Sequence, residues 1–141
     1  MKIDDYLDKL LDLALIAKNN DDIPISAMVI EGQKIIGYGY NTREKEKNIL
    51  GHAEINAIIM ATQKKENWNL QGTTMIVTLK PCSMCMEIIK QTRIDKVYYL
   101  LDKLDNKKEY NKTDFLKLNS SKEKKYKILL SDFFSKLRAK K

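Results

Sequence analysis

One histidine, two cysteines, two prolines and five glycines are all that this 141-residue chain holds of the residues that most often staple, kink or punctuate a fold. Each scarcity excludes something. Two cysteines cannot build the disulfide framework of a small secreted domain, and in a reducing compartment such a pair reads as metal ligands or catalytic groups. No Gly/Ser/Pro linker divides the chain, and nothing recurs with a period of roughly 20–50 residues. A single domain over residues 1–141 is therefore expected. No apolar run approaches the ~18–20 residues that a membrane span needs. The opening stretch MKIDDYLDKLLDLALIAKNN is acidic and helix-periodic, unlike a signal peptide with its basic flank and unbroken apolar centre. The expectation is a cytoplasmic protein with no membrane partner.

What is present describes a globular chain with a real core: 43% hydrophobic and 32% charged residues. The formal net charge is +7, and residues 122–141 carry eight lysines and arginines against two acidic residues. Two readings fit that excess. One is a lysine-rich solvated surface; the other is a polyanionic partner, nucleic acid above all.

Hydrophobic periodicity orders the elements. Ile3, Leu7, Leu10, Leu11, Ala14 and Ala17 trace an amphipathic helix. Residues 25–30 and 34–40 read as strands joined by a tight turn at Glu31-Gly32-Gln33. HAEINAIIMATQKK (52–65) is a helix buried against a sheet, TTMIVTL (73–79) a central strand, SMCMEIIKQT (83–92) a helix and KVYYLL (96–101) a strand. Residues 101–113 read as loop, and DFLKL (114–118) as a short edge strand. The chain closes on a helix over 120–141, with Ser120 and Glu123 spaced as a capping box and Leu130, Phe133, Phe134 and Leu137 as its apolar stripe. Strands separated by helices of this length predict an α/β fold: three layers, with helices on both faces of a mixed, mostly parallel sheet of about five strands.

The chemistry gathers in two short stretches. GHAEINAI holds the sole histidine, His52, and TLKPCSMC holds both cysteines, Cys82 and Cys85. His52 opens one predicted helix, while Cys82 and Cys85 straddle the first turn of the next. The positive end of a helix dipole favours thiolate, the form that binds zinc. One nitrogen and two sulfurs leave the fourth tetrahedral position of Zn²⁺ to water, the catalytic rather than the structural pattern. Zinc lowers the pKa of that water from ~15.7 toward ~7. Glu54, two residues after His52, is placed to take the water's proton and pass it to a substrate nitrogen. A thioredoxin-like redox pair is the rival reading of Cys-x-x-Cys, but it has no use for His-Ala-Glu thirty residues upstream.

H-x-E followed by P-C-x-x-C is the signature of the zinc nucleobase deaminases. The sequence resembles that cytidine/deoxycytidylate deaminase superfamily and, within it, the bacterial tRNA-specific adenosine deaminases. PISAMVI, IIGYGYN, GHAEINAI, TLKPCSMC, TRIDKVYY and LLSDFF each resemble a family block, in the family's order. LLSDFF resembles the terminal helix of the tRNA enzymes in particular. The resemblance implies a cytidine-deaminase-like fold and one Zn²⁺ held by His52, Cys82 and Cys85, with Glu54 as proton shuttle. It implies that Asn41 and the backbone N–H of Ala53 meet the target base, that Pro24 and Ile25 form the pocket wall, and that Phe134 lies near the RNA. The implied reaction is hydrolytic deamination of the wobble adenosine of a tRNA anticodon to inosine by zinc-bound hydroxide, performed by a homodimer on RNA rather than DNA. Two departures stand out. Lys80 occupies a position where the family usually has glutamate, and the segment after the last predicted strand is short and lacks the family's Gly- and Ala-rich run.

Three other functions use parts of the same pattern. A deaminase of a free base or nucleotide (guanine, cytosine or deoxycytidylate) shares the zinc core but needs no lysine-rich terminal helix. A non-catalytic RNA-binding module has no need of Glu54. A structural zinc protein needs a fourth ligand, and the chain has neither a second histidine nor a third cysteine.

Overall fold

The computed structural model describes residues 3–102 and 113–139, which fall into two compact units, Met1–Asp105 and Asn106–Lys141. In the first unit the order is α1 (Ile3–Asn19), β1 (Ser26–Glu31), β2 (Lys34–Tyr40), α2 (Arg43–Glu46), α3 (Ala53–Lys65), β3 (Thr73–Leu79), α4 (Ser83–Gln91) and β4 (Lys96–Leu101). The second contains α5 (Lys122–Ala139). No helix among the described residues is long and apolar enough to cross a membrane.

Alternation along β1 explains the layers. Ala27 and Val29 face one side and meet Ala53, Ala57 and Ile58 of α3 and Ile89 of α4. Met28 and Ile30 face the other, where Tyr6 and Leu10 of α1 cover them. Both faces of β1 are thus covered, which is why SAMVI has no polar alternation.

The strand order is β2-β1-β3-β4. Four strands are formed among the described residues, against an expected five or so, because residues 114–118 join no ladder. The expected loop at 101–113 lies mostly outside the described residues. Nor is the pairing mostly parallel: β1 runs antiparallel to both β2 and β3, and only β3 and β4 pair in parallel. The hairpin turn reverses β1 into β2, and the α3 crossover carries β3 to the far side of β1. The directions nonetheless preserve what matters for a site. β2, β3 and β4 all run the same way, so α3 and α4 start at one edge of the sheet.

Close packing brings α3 onto β2. A methyl group added at Gly37 would lie 2.3 Å from the Ala57 carbonyl oxygen, and one at Gly39 would lie 2.7 Å from that of Ala53. Facing these glycines, α3 presents Ala53, Ala57 and Ala61, all fully buried. The helix that begins at the candidate ligand His52 is therefore seated by backbone contact. Gly39→Ala is expected to destabilise the protein by about 1–3 kcal/mol through overpacking, read as a lower urea midpoint at unchanged slope.

In α5 the capping box is half made. Ser120 Oγ accepts from the Lys122 N–H at 3.2 Å, but the Glu123 carboxylate pairs with Lys117 Nζ at 3.0 Å instead of reaching back. Phe133 and Phe134 meet edge to face, with ring centroids 5.5 Å apart.

Candidate metal centre and active site

The two helix starts at the sheet edge are built alike. His52 is the N-cap of α3 and Cys82 the N-cap of α4, both with extended backbone, and neither side chain makes a capping hydrogen bond. Their carbonyls accept the first helical bonds, from Asn56 N–H at 3.0 Å and Met86 N–H at 2.9 Å. A serine or aspartate at either position would add about 1 kcal/mol of helix stability. The sequence spends both caps on side chains that turn toward each other instead. His52 Nδ1 lies 3.6 Å from Cys85 Sγ and 3.9 Å from Cys82 Sγ.

Those spacings suit zinc. Bonds of about 2.1 Å to nitrogen and 2.3 Å to sulfur at tetrahedral angles separate the donors by roughly 3.5–3.8 Å. All three donor atoms lie within 4.8 Å of one another, and among the described residues no fourth ligand joins them. The donor set fits a three-ligand zinc with one position left for water.

Glu54, in the first turn of α3, is buried and stands outside the donor group. Burial pushes its carboxyl up to about 7, although its hydrogen bonds to its own backbone N–H and to the Cys85 thiol pull the other way. The thiol of Cys85, hydrogen-bonded to Cys82, draws Cys82 down to about 5, and the same bond together with burial pushes Cys85 up. One thiolate forms readily in this pair. A metal ion at these donors would take both sulfurs as thiolates, its charge offsetting the cost of the second.

Asn41 leaves the end of β2 and is buried. Its N–H donates to the Ile25 carbonyl at 3.1 Å, and its Oδ1 accepts the Ala53 N–H at 2.8 Å. The Ala53 N–H, expected to face the base, is therefore engaged within the protein, because the amide oxygen of Asn41 reaches the free first turn of α3 before any ligand does. Asn41 also lines a polar cavity of about 550 Å³ with Asp21, Asp22 and Ile23, which none of His52, Glu54, Cys82 and Cys85 lines. Ile25 packs partly buried beside the α3 core, and Pro24 is exposed one residue before it. Phe134 sits on α5, in the second unit. Lys80 Nζ lies 3.9 Å from Asp102 Oδ1 and 5.7 Å from the Tyr99 ring centroid.

Two side chains that sequence reasoning passed over also hold this edge. Asn56 Nδ2 donates to the Tyr40 carbonyl at 2.9 Å and to Thr42 Oγ1 at 3.0 Å, clamping the end of β2 to α3. Its place one helical turn after His52 was the available signal. The other is Asp22, whose two carboxylate oxygens accept backbone N–H groups of α2.

Residues 1–138 match the family described as MafB19-like deaminase. The chain belongs to that deaminase family. Its resemblance to the bacterial tRNA-specific adenosine deaminases holds as well. A protein of that name from Buchnera aphidicola subsp. Schizaphis graminum is 34% identical over 136 residues, 95% of this chain and 90% of the relative. Other relatives of that name are longer: the chain spans 49% of the one from Streptococcus pyogenes serotype M18, at 41% identity over 55% of its own length. Among solved structures, one from a study of A-to-I editing by tRNA:A34 deaminases at the wobble position superposes with a TM-score of 0.67 at 31% identity, covering 69% of this chain and 75% of that one. A guanine deaminase from Bacillus subtilis superposes with a TM-score of 0.81 over 94% of this chain and 95% of its own, and at 19% identity it bears on the fold alone. The α/β deaminase fold and the enzyme class predicted from sequence thus both hold.

Proposed function

We propose that this deaminase hydrolyses the wobble adenosine of a tRNA anticodon to inosine, releasing ammonia. The observation that carries the reading is the buried Glu54 set beside a nitrogen-and-two-sulfur donor group at the starts of α3 and α4. Adenosine in tRNA as the substrate draws support from the relative that is 34% identical along 95% of this chain.

His52, Cys82 and Cys85 would hold zinc, which would supply the acidity that makes water a nucleophile near neutral pH. Glu54 would carry two protons in turn, the first from the attacking water to the ring nitrogen and the second from the newly added hydroxyl to the amine, which leaves as ammonia. Asn41 donates through Nδ2 to the base, held in position by Ile25 and by the Ala53 N–H. Ile25 and Pro24 wall the pocket, and Phe134 contacts the RNA. The lysines contribute phosphate contacts that orient the RNA while the pocket selects the base. By the family resemblance the enzyme works as a homodimer in the cytoplasm.

The test is inosine formation on an adenosine-containing anticodon stem-loop, with free adenine, guanine, cytosine, adenosine, cytidine and deoxycytidylate run in parallel. Inosine in the stem-loop, with the small molecules untouched, is the expected result. Turnover of a small molecule alone would overturn the RNA assignment and reduce the basic residues to surface composition.

A further inference from the structure

Asp22 is buried and bonded through both its backbone and its side chain. Its backbone belongs to the end of α1. The Asp22 N–H donates to the Ala17 carbonyl at 2.9 Å and the Asp21 N–H to that of Lys18 at 3.0 Å, while Asp21 takes the left-handed conformation at φ 61°. This is a Schellman-type helix end. Its side chain belongs to another element: Oδ1 accepts the Glu44 N–H at 2.8 Å and Oδ2 the Lys45 N–H at 3.2 Å, both in α2.

Residues 42–51 form a closed loop whose neck is the bond from the Thr42 N–H to the Gly51 carbonyl at 2.8 Å. The two sides of the neck touch: a methyl group at Gly51 would lie 2.6 Å from the Arg43 nitrogen. Asn41 enters this neck and His52 leaves it. We infer that Asp22 is a positioning residue, a strut from α1 that holds the 42–51 loop and through it sets where Asn41 meets the base.

This rests on the proposed reading of the site and extends it. Glu54 and the thiols ride on α3 and α4, and His52, although it follows the neck, is also fixed as the N-cap of α3 by the Asn56 N–H at its carbonyl, so the strut bears first on the base side of the pocket. Without the carboxylate, Glu44 and Lys45 lose their acceptor and the loop can shift, and a displacement near 1 Å at a positioning group costs up to about a hundredfold in rate.

The experiment uses the zinc-loaded 141-residue protein and the variants Asp22→Asn and Asp22→Glu. Wild type and variants are assayed on whichever of the substrates above the wild type deaminates. Asp22→Asn is expected to keep one zinc per chain, to raise KM about tenfold with kcat within about threefold, and to lose hydrogen-exchange protection at one of the Glu44 and Lys45 amides, because its carboxamide oxygen can still accept one N–H while its NH2 group cannot accept the other. Asp22→Glu, which keeps two acceptor oxygens, is expected to restore both KM and protection. An unchanged KM in Asp22→Asn despite lost protection would overturn the inference, as would a loss of zinc and kcat together. Failure of the tRNA reading shows in the wild type's choice of substrate, whereas failure of this inference shows only in the ratio of variant to wild type. A wild type inert on every substrate overturns both.

Discussion

Replacing Glu54 with alanine is expected to leave zinc bound and to lower turnover by about three to four orders of magnitude, at the upper end of what one general acid–base group contributes. The expectation follows from where the side chain sits. Glu54 lies outside the group formed by His52, Cys82 and Cys85, so its removal takes away no ligand. It is also buried, so bulk water cannot substitute for it at the reacting atoms. Holding a carboxyl away from water costs free energy that a core residue would not. Glu54→Ala should therefore melt no lower than wild type, the trade of stability against activity common at active sites. Metal content by elemental analysis and single-turnover rates on the same sample check it. Loss of zinc would make Glu54 a ligand and the three-donor site wrong. Turnover within tenfold of wild type would remove it from the chemistry.

The grouping of His52, Cys82 and Cys85 was legible in the sequence because its information is local. His52 and Cys82 announce themselves by residue type, and the periodicity of the segments after them marks two helix starts. The tight turn at Gly32 likewise made the β1–β2 hairpin readable. What escaped was set by partners distant in sequence. The insertion of β1 between β2 and β3 turns two of three ladders antiparallel, and no periodicity within β1 records which strands flank it. Helix α2 is a single four-residue turn with no apolar stripe. It stands on bonds from Asp22, more than twenty residues earlier, and an aspartate followed by Ile-Pro reads locally as a solvated turn. The Ala53 N–H escaped for the same reason, since its partner Asn41 sits twelve residues upstream. The pattern in DFLKL suggested a strand at 114–118, but a strand exists only where a neighbour offers its backbone, and none among the described residues does.

Cys85→Ala tests the site from the side of stability. Cys85 is fully buried in the first turn of α4, and its sulfur is the nearer of the two to His52 Nδ1. Alanine is smaller, apolar and a better helix former, so in a purely structural role the change should cost little. If the sulfur is a zinc ligand, the consequence is larger. Two remaining donors bind zinc weakly, and the stabilisation from a ligand that binds only the folded state is lost, about 4 kcal/mol where zinc is a thousandfold above its dissociation constant. Melting scans with and without chelator separate the two cases. Wild type is expected to lose stability when the chelator strips the metal and to approach the variant, while Cys85→Ala melts at one temperature in both. A variant that keeps a full complement of zinc and the wild-type melting temperature would mean that these three side chains meet for some other purpose. With His52, Cys82 and Cys85 the one donor group found at this edge among the described residues, its assignment as a metal centre would then fail.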